Sequence, residues 1–274
     1  MEHKTLISGT AYSVTGGRDL IGGTGYAKKK GRVLVNGTGY DIPFSSGIPI
    51  CTLPVGSVVK IGVNGKSYDF LVVNQGIPSN SSLYDSSCDG TWLLMKDIYE
   101  NSSWDRWSKN KYEESDLHAY LNNAFLNLFD SNIKDAIKQV KIPYRKNGGS
   151  GGYDQSGANG LPAKIFLLSG YEVGLTTNGR DNLPVDGAKL SYFESGTGTS
   201  ANNKRIAKLN GSTASWWLRS PQTGGIGSVW GVNPNGVCSG SYGTSGTAGV
   251  RPAFTLQGTF PVIQNPDGTY TLAA

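Results

Sequence analysis

The sequence predicts an α+β protein, a loop-rich head preceded by a small all-β repeat segment. Three observations point there. A Gly-rich unit recurs every 14 residues near the start of the chain. Beyond it, short apolar runs are bounded by Gly, Asn and Pro, as strands joined by turns are. Between residues 117 and 140 the apolar spacing changes to steps of three and four, the period of a helix face. Composition agrees with this picture. Of 274 residues 39 are Gly and only 16% are charged, so the surface must be largely neutral and polar. That argues against a coiled coil, a disordered tail and a highly charged nucleic-acid binder. A chain of 29.1 kDa can bury a sizeable core without a metal or disulfide staple.

The repeat comes first. Leu6-Ile7-Ser8-Gly9-Thr10-Ala11-Tyr12 recurs as Leu20-Ile21-Gly22-Gly23-Thr24-Gly25-Tyr26 and again as Leu34-Val35-Asn36-Gly37-Thr38-Gly39-Tyr40. Each copy reads as two short strands with a glycine turn between them. A unit this small cannot bury a core alone and needs neighbours, either its own copies or other subunits. Lys4, Arg18, Lys28, Lys29, Lys30 and Arg32 also make this stretch basic, while the rest of the chain is nearly neutral within a net charge of +5.

A junction is expected at Ser45-Ser46-Gly47, giving domains 1–46 and 47–274. After it, Val58 to Val63 and Tyr68 to Val73 flank Asn64-Gly65, a strong hairpin signal. Residues 91–95 are a third strand candidate. Leu117, Tyr120, Leu121, Ala124, Phe125 and Leu128 mark a helix that Ser115 or Asp116 can cap. A second short helix is expected over 131–139, with Ser131 as its cap. Residues 147–152, Asn-Gly-Gly-Ser-Gly-Gly, read as a flexible loop. Ile165-Phe166-Leu167-Leu168 is a buried strand. Residues 176–213 read as long surface loops. The chain closes with a hairpin over Asn265-Pro266-Asp267-Gly268.

The last third holds the most specific motif. Ser215-Trp216-Trp217-Leu218-Arg219-Ser220-Pro221 is followed, about thirty residues on, by Gly249-Val250-Arg251-Pro252-Ala253-Phe254. This pair resembles the ending of C-type-lectin-like domains of phage, prophage and gut-bacterial proteins, a group that includes the variable proteins of diversity-generating retroelements. Phe70-Leu71-Val72-Val73, Tyr120-Leu121-Asn122 and residues 164–169 extend the resemblance over most of residues 50–256. It implies a compact head with two helices and a small twisted sheet under a loop-built face. Trp216, Trp217, Arg219 and Arg251 would then be scaffold, the indoles buried with partnered N–H groups and the guanidinium groups stacking and forking onto carbonyls. The N-terminal repeat resembles units near the start of phage tail and other virion proteins, which implies attachment to other virion proteins through residues 1–46.

Between the two motifs, residues 238–247 are almost wholly Ser, Gly, Thr and Tyr. Antigen-binding loops favour the same residues, Tyr for rigid contact area and Ser and Gly for adaptable hydrogen bonds. All ten also belong to the set reached when the two adenines of an Asn codon are replaced at random, as the retroelement resemblance would imply. The expected binding face comprises Ser228, Trp230, Asn233, Asn235, Ser239, Ser241, Tyr242, Thr244, Ser245 and Thr247. Its target would be a host-surface glycan or protein, bound by a homo-oligomer, with a trimer favoured.

Catalytic and metal chemistry is not evident. The two His, His3 and His118, cannot build a three-His zinc site, and Cys51, Cys88 and Cys238 are too scattered for one. No nucleophile elbow and no phosphate loop follow any Gly run. The sequence therefore implies no cofactor, no metal and no enzyme, and no nucleic-acid partner. No apolar run reaches the 18 residues of a membrane span, and the first residues lack a signal-peptide core. The expectation is a virion protein made in the host cytoplasm and displayed on the particle, on its tail. Two alternatives stand beside it. One is a decoration or baseplate protein without a ligand. The other is a glycan-cleaving enzyme with paired carboxylates.

Overall fold

In the computed structural model the chain divides into two compact units, Met1–Gly47 and Ile48–Ala274. The structure describes residues 47–79, 81–175 and 182–273, apart from the side chains of Ser81 and Ser241. Of residues 1–46 it describes the backbone of six short strands. These pair two by two: His3–Ile7 with Thr10–Val14, Leu20–Ile21 with Thr24–Gly25, and Lys30–Val35 with Thr38–Pro43. The innermost pairs, Ile7↔Thr10, Ile21↔Thr24 and Val35↔Thr38, fall at the same point of each copy. The repeat is thus one hairpin per 14 residues. Its expected role in attachment or oligomer contact rests on side chains outside the described residues.

The second unit is α+β, with many strands and a few short helices. Its larger sheet has eight strands in the order Ile165–Phe166, Ala253–Leu256, Thr91–Met95, Lys66–Gln75, Val58–Val63, Tyr270–Leu272, Pro261–Gln264 and Ile48–Pro49. The Asn64-Gly65 turn joins two of these strands. Both residues take positive φ (50° and 72°), the conformation a tight hairpin needs and Asn and Gly tolerate. The second sheet has five strands in the order Glu100–Ser103, Thr247–Val250, Trp216–Pro221, Ser228–Val232 and Cys238–Gly243.

The expected helix forms, but not as one uniform element. Ser115 caps Asp116–Tyr120 by accepting from the His118 amide at 3.1 Å. The chain then widens into a π turn over Leu121–Phe125 and tightens into Leu126–Leu128. Asn122 sits in the widened turn. Its amide accepts from the Lys164 and Ile165 N–H groups and donates to the Ile165 carbonyl, tying the helix to the large sheet. The second helix is Ser131–Ala136, shorter than expected. Asp130, not Ser131, takes the cap position, and the helix ends where Ile137 bridges to Leu256.

Two corrections concern residues read as loops. Thr199–Arg205 is a helix, although Thr-Ser-Ala-Asn-Asn is a poor helix former. Arg205 holds it in place. Its buried guanidinium donates to the carbonyls of Gly236, Val173 and Gly196. The stretch before it is irregular but not superficial, since Leu183, Asp186, Leu190 and Phe193 are buried.

Asp186 belongs to a polar cluster sealed in the core. Arg219 there donates five hydrogen bonds. Two go to the Glu172 carboxylate and the others to the carbonyls of Pro143, Leu167 and Asp186. Tyr84 bonds Glu172, and the Ser220 hydroxyl bonds Asp186 at 2.7 Å. Glu172 neutralises Arg219, so Asp186 is the excess negative charge, and its Oδ1 has no partner among the described residues. Burial pushes the Asp186 carboxyl up to about 7 against the opposing pull of Arg219. Between about pH 4, where an unfolded Asp titrates, and pH 7 the folded chain holds a proton that the unfolded chain has released. Stability should therefore fall as pH rises through that window. Asp186→Asn keeps an acceptor for Ser220 and removes the charge. Urea unfolding of this variant between pH 4.5 and 7, roughly that window, should show a flatter pH dependence than the parent. An unchanged slope would assign it to other groups.

Candidate functional site

Six Trp residues divide sharply in this protein. Trp92, Trp104, Trp216, Trp217 and Trp230 are buried, and each indole N–H donates to a backbone carbonyl. Trp107 is 72% exposed, as is Ile226. The burial of Trp230, 6% exposed with its N–H on the Asn182 carbonyl, corrects its expected place on an open face. Thr244 is fully buried as well.

The small residues of the Cys238–Gly243 ribbon have a packing cause. A Cβ at Gly240 would stand 3.0 Å from the Trp230 ring, and one at Gly231 would stand 2.9 Å from the Tyr242 ring. Each aromatic therefore lies against a glycine of the neighbouring strand, as commonly stabilises glycine in sheets. Tyr242 is half-buried, edge-on to Trp217 at 5.9 Å, with its hydroxyl toward Ser215. Ser228 and Ser239 are half-buried, and the Ser241 side chain lies outside the described residues. At one end of the ribbon Asn233 caps a turn by accepting from the Asn235 and Val237 amides. Asn235 is exposed there, beside a Gly236 that presses on the backbone of Asn202. Ser245 and Thr247 are exposed at the other end. The register Ser228↔Gly243 and Val232↔Cys238 separates the two ends by the length of the strand. The expected ten residues therefore do not form one face.

At the Ser245 end several loops are laced together. The Thr244 carbonyl accepts from the Trp104 and Asp105 amides, and the Thr244 amide donates to Gly227. The Asp105 carboxylate in turn accepts from the Trp107 and Lys109 amides, which fixes the loop carrying Trp107. Asn110, 2% exposed, is the central tie. Its side-chain N–H groups face the carbonyls of Gln222, Gly225 and Ser228, its Oδ1 accepts from the Gly149 amide, and its own amide donates to Ile226. Gly148-Gly149 is thus no loose linker. A Cβ at Gly149 would meet the Gly225 carbonyl at 1.9 Å, so glycine is required by close approach of backbones.

Next to this face lies an open groove of about 460 Å³ lined by Ser102, Ser103, Arg106, Asp116, Leu117, Ala119 and Tyr120. Arg106 clamps Asp116 through Nε, Nη2 and its backbone N–H at 2.7–2.9 Å. These bonds hold the Asp116 carboxyl down at about 2. Ser103 pairs with Thr247 across the sheet, so the groove adjoins the exposed end of the ribbon.

The scaffold residues behave as a frame. Arg251 lies over the Trp216 ring at 4.8 Å and forks onto the carbonyls of Met95 and Lys96. Burial lowers its pKa to about 10, which still leaves it charged at neutral pH. His118 is half-buried against Tyr112, and burial pushes its pKa down to about 4. Cys88 and Cys238 are buried, and Cys51 is exposed. Glu172 and Asp186, the carboxylates gathered in the core, are both 0% exposed and cannot flank a bound polysaccharide. Among the described residues no three His, Cys, Asp or Glu converge as metal ligands would, and no helix is long and apolar enough to cross a membrane.

The α+β head and its loop face define a compact domain whose exposed apolar groups stand on fixed backbone. Residues 89–258 match a family described as Domain of unknown function (DUF6273), and the chain belongs to that family. No curated protein and no solved structure matches the chain.

Trp107 and Ile226 were missed in the sequence, although a signal exists. Trp107 stands in the polar run Asp-Arg-Trp-Ser-Lys-Asn-Lys, and Ile226 stands between Gly225 and Gly227. The lacing makes a test. Asn110→Ala should cost about 1–3 kcal/mol of stability and should speed amide exchange at Gly149, Ser150 and Gly225. Unchanged exchange would show that the loops are held by something else.

Proposed function

We propose that this protein is a recognition module, and that its loop face binds a ligand through Trp107 and Ile226. The observation that carries the reading is their joint exposure: two large apolar side chains, each 72% open to solvent, on loops whose backbone is tied down. Leaving such groups in water is unfavourable, and rigid aromatic anchors lose little entropy on binding. Ser245 and Thr247 supply polar groups at the rim.

Placed with the motif resemblance, the wider reading is a phage virion-surface protein of the tail fibre, tail tip or baseplate. Its head would be C-type-lectin-like, and its target a host-surface glycan or protein. The hairpin repeat of residues 1–46 would attach it to other virion proteins or build a homo-oligomer, a trimer by preference. Several heads per particle would then multiply weak single-site binding. Packing already accounts for Gly231 and Gly240, so diversification of the ribbon, if it occurs, would act at Ser245, Thr247 and other exposed positions.

Adsorption of the full chain to intact gut Gram-positive cells tests the reading. Trp107→Ala combined with Ile226→Ser should weaken adsorption about tenfold or more while unfolding and far-UV circular dichroism stay unchanged. Equal adsorption by the parent and the double variant would remove this face from the recognition surface. A decoration protein without a ligand would instead protect Trp107 from solvent quenching once assembled, with no adsorption by the free chain.

A further inference from the structure

The groove beside Trp107 contains an ion pair unlike the one in the core. Arg219 uses all its N–H groups on protein acceptors. Arg106 uses Nε and Nη2 on Asp116, and its Nη1 has no protein acceptor among the described residues. The Arg106 side chain is 68% exposed and that of Asp116 31%. The Asp116 carboxylate takes three donors from Arg106, whereas a carboxylate offers about four lone-pair sites. The ion pair therefore keeps an unused donor on Arg106 and an unused acceptor position on Asp116.

The surroundings narrow what such a pair can receive. Ser102, Ser103 and Tyr120 line the same groove. Arg106 and Asp116 offset each other, and Glu100 beside Tyr120 and Asp105 beside Arg106 add negative charge, so a phosphate gains no attraction there; among the described residues no three carboxylates, His or Cys converge to hold a metal ion. Adjacent donor and acceptor positions instead match neighbouring hydroxyls of a sugar ring, each of which both donates and accepts. The groove volume of about 460 Å³ lies within the usual range for small-ligand clefts, and its open form suits one ring of a longer chain. Trp107, next in sequence to Arg106, offers a flat apolar surface on which a further ring could stack.

We infer that this groove is a subsite for a neutral pyranose ring, with Arg106 and Asp116 reading vicinal hydroxyls. This rests on the recognition reading above and specifies its ligand as a neutral glycan rather than a protein.

The test uses the full chain, labelled with nitrogen-15, and methyl glycosides of glucose, galactose, mannose and N-acetylglucosamine at millimolar concentration. Inorganic phosphate and glucuronate serve as charged controls. At least one neutral glycoside should shift the amides of Ser103, Arg106 and Tyr120. Asp116→Asn should weaken that response at least tenfold. Arg106→Gln, at a side chain 68% exposed, should do the same. Shifts absent from the groove, undiminished in both variants, or stronger with phosphate or glucuronate would overturn the inference. Adsorption to cells separates the two levels. Adsorption that depends on Trp107 but survives Asp116→Asn, with no glycoside response, sinks the sugar subsite and leaves recognition standing, with a protein as target. Loss of both readouts in the parent chain sinks both.

Discussion

The structure depends on one buried guanidinium. Arg219 is 1% exposed and donates to Glu172 and to three carbonyls drawn from separate irregular segments, at Pro143, Leu167 and Asp186. A charge so placed is costly unless it is paired and every donor is used. Here both conditions hold, and the cost becomes a constraint. The chain around residues 143, 167 and 186 must pass where those bonds can form. Arg205 repeats the device on irregular chain, through the carbonyls of Gly236, Val173 and Gly196, and Arg251 forks onto the carbonyls of Met95 and Lys96 at the end of a strand. Asn110 does the same without a charge. Long polar side chains take over the work that ladders do in a richer sheet, and this is how a chain with so much Gly and so few regular elements keeps fixed loops.

That constraint also sets what the surface can do. Backbone that is tied from within can display a Trp or an Ile without the loop collapsing over it. Trp107 and Ile226 are held out in this way by Asp105, Asn110 and Thr244. The ribbon of small residues serves the frame more than the face. Gly231 and Gly240 make room for Tyr242 and Trp230, which thicken the core beneath the exposed turn. A composition that resembles a binding loop can therefore arise from packing, and the two causes separate once each residue's neighbours are known.

Some of this was legible in the sequence because it is local. The Asn64-Gly65 turn, the Ser115 cap and the closing hairpin rest on turn and cap chemistry within a few residues. The Trp and Arg motifs were legible as framework because such residues are expensive to bury without a reason. What failed was long-range. The Thr199–Arg205 helix has no propensity to announce it and is made by Arg205 reaching over thirty residues to Gly236. Gly148-Gly149 looks like a linker until the Gly225 carbonyl is seen against it. Trp230, expected on an open face, is buried, and the strand pairing shifts register at its position, between Val229 and Gly231. None of these contacts has a signature at short spacing.

The central claim is that polar anchors from the core hold the loop face rigid before any ligand arrives. Native-state hydrogen exchange on the unliganded chain addresses it most directly. The amides of Gly149, Ala188 and Arg219, bonded to Asn110, Tyr84 and Leu168, should exchange as slowly as those of the Thr91–Met95 strand. Exchange at the rate of an open loop at Gly149 and Ala188, with the strand still protected, would contradict the account.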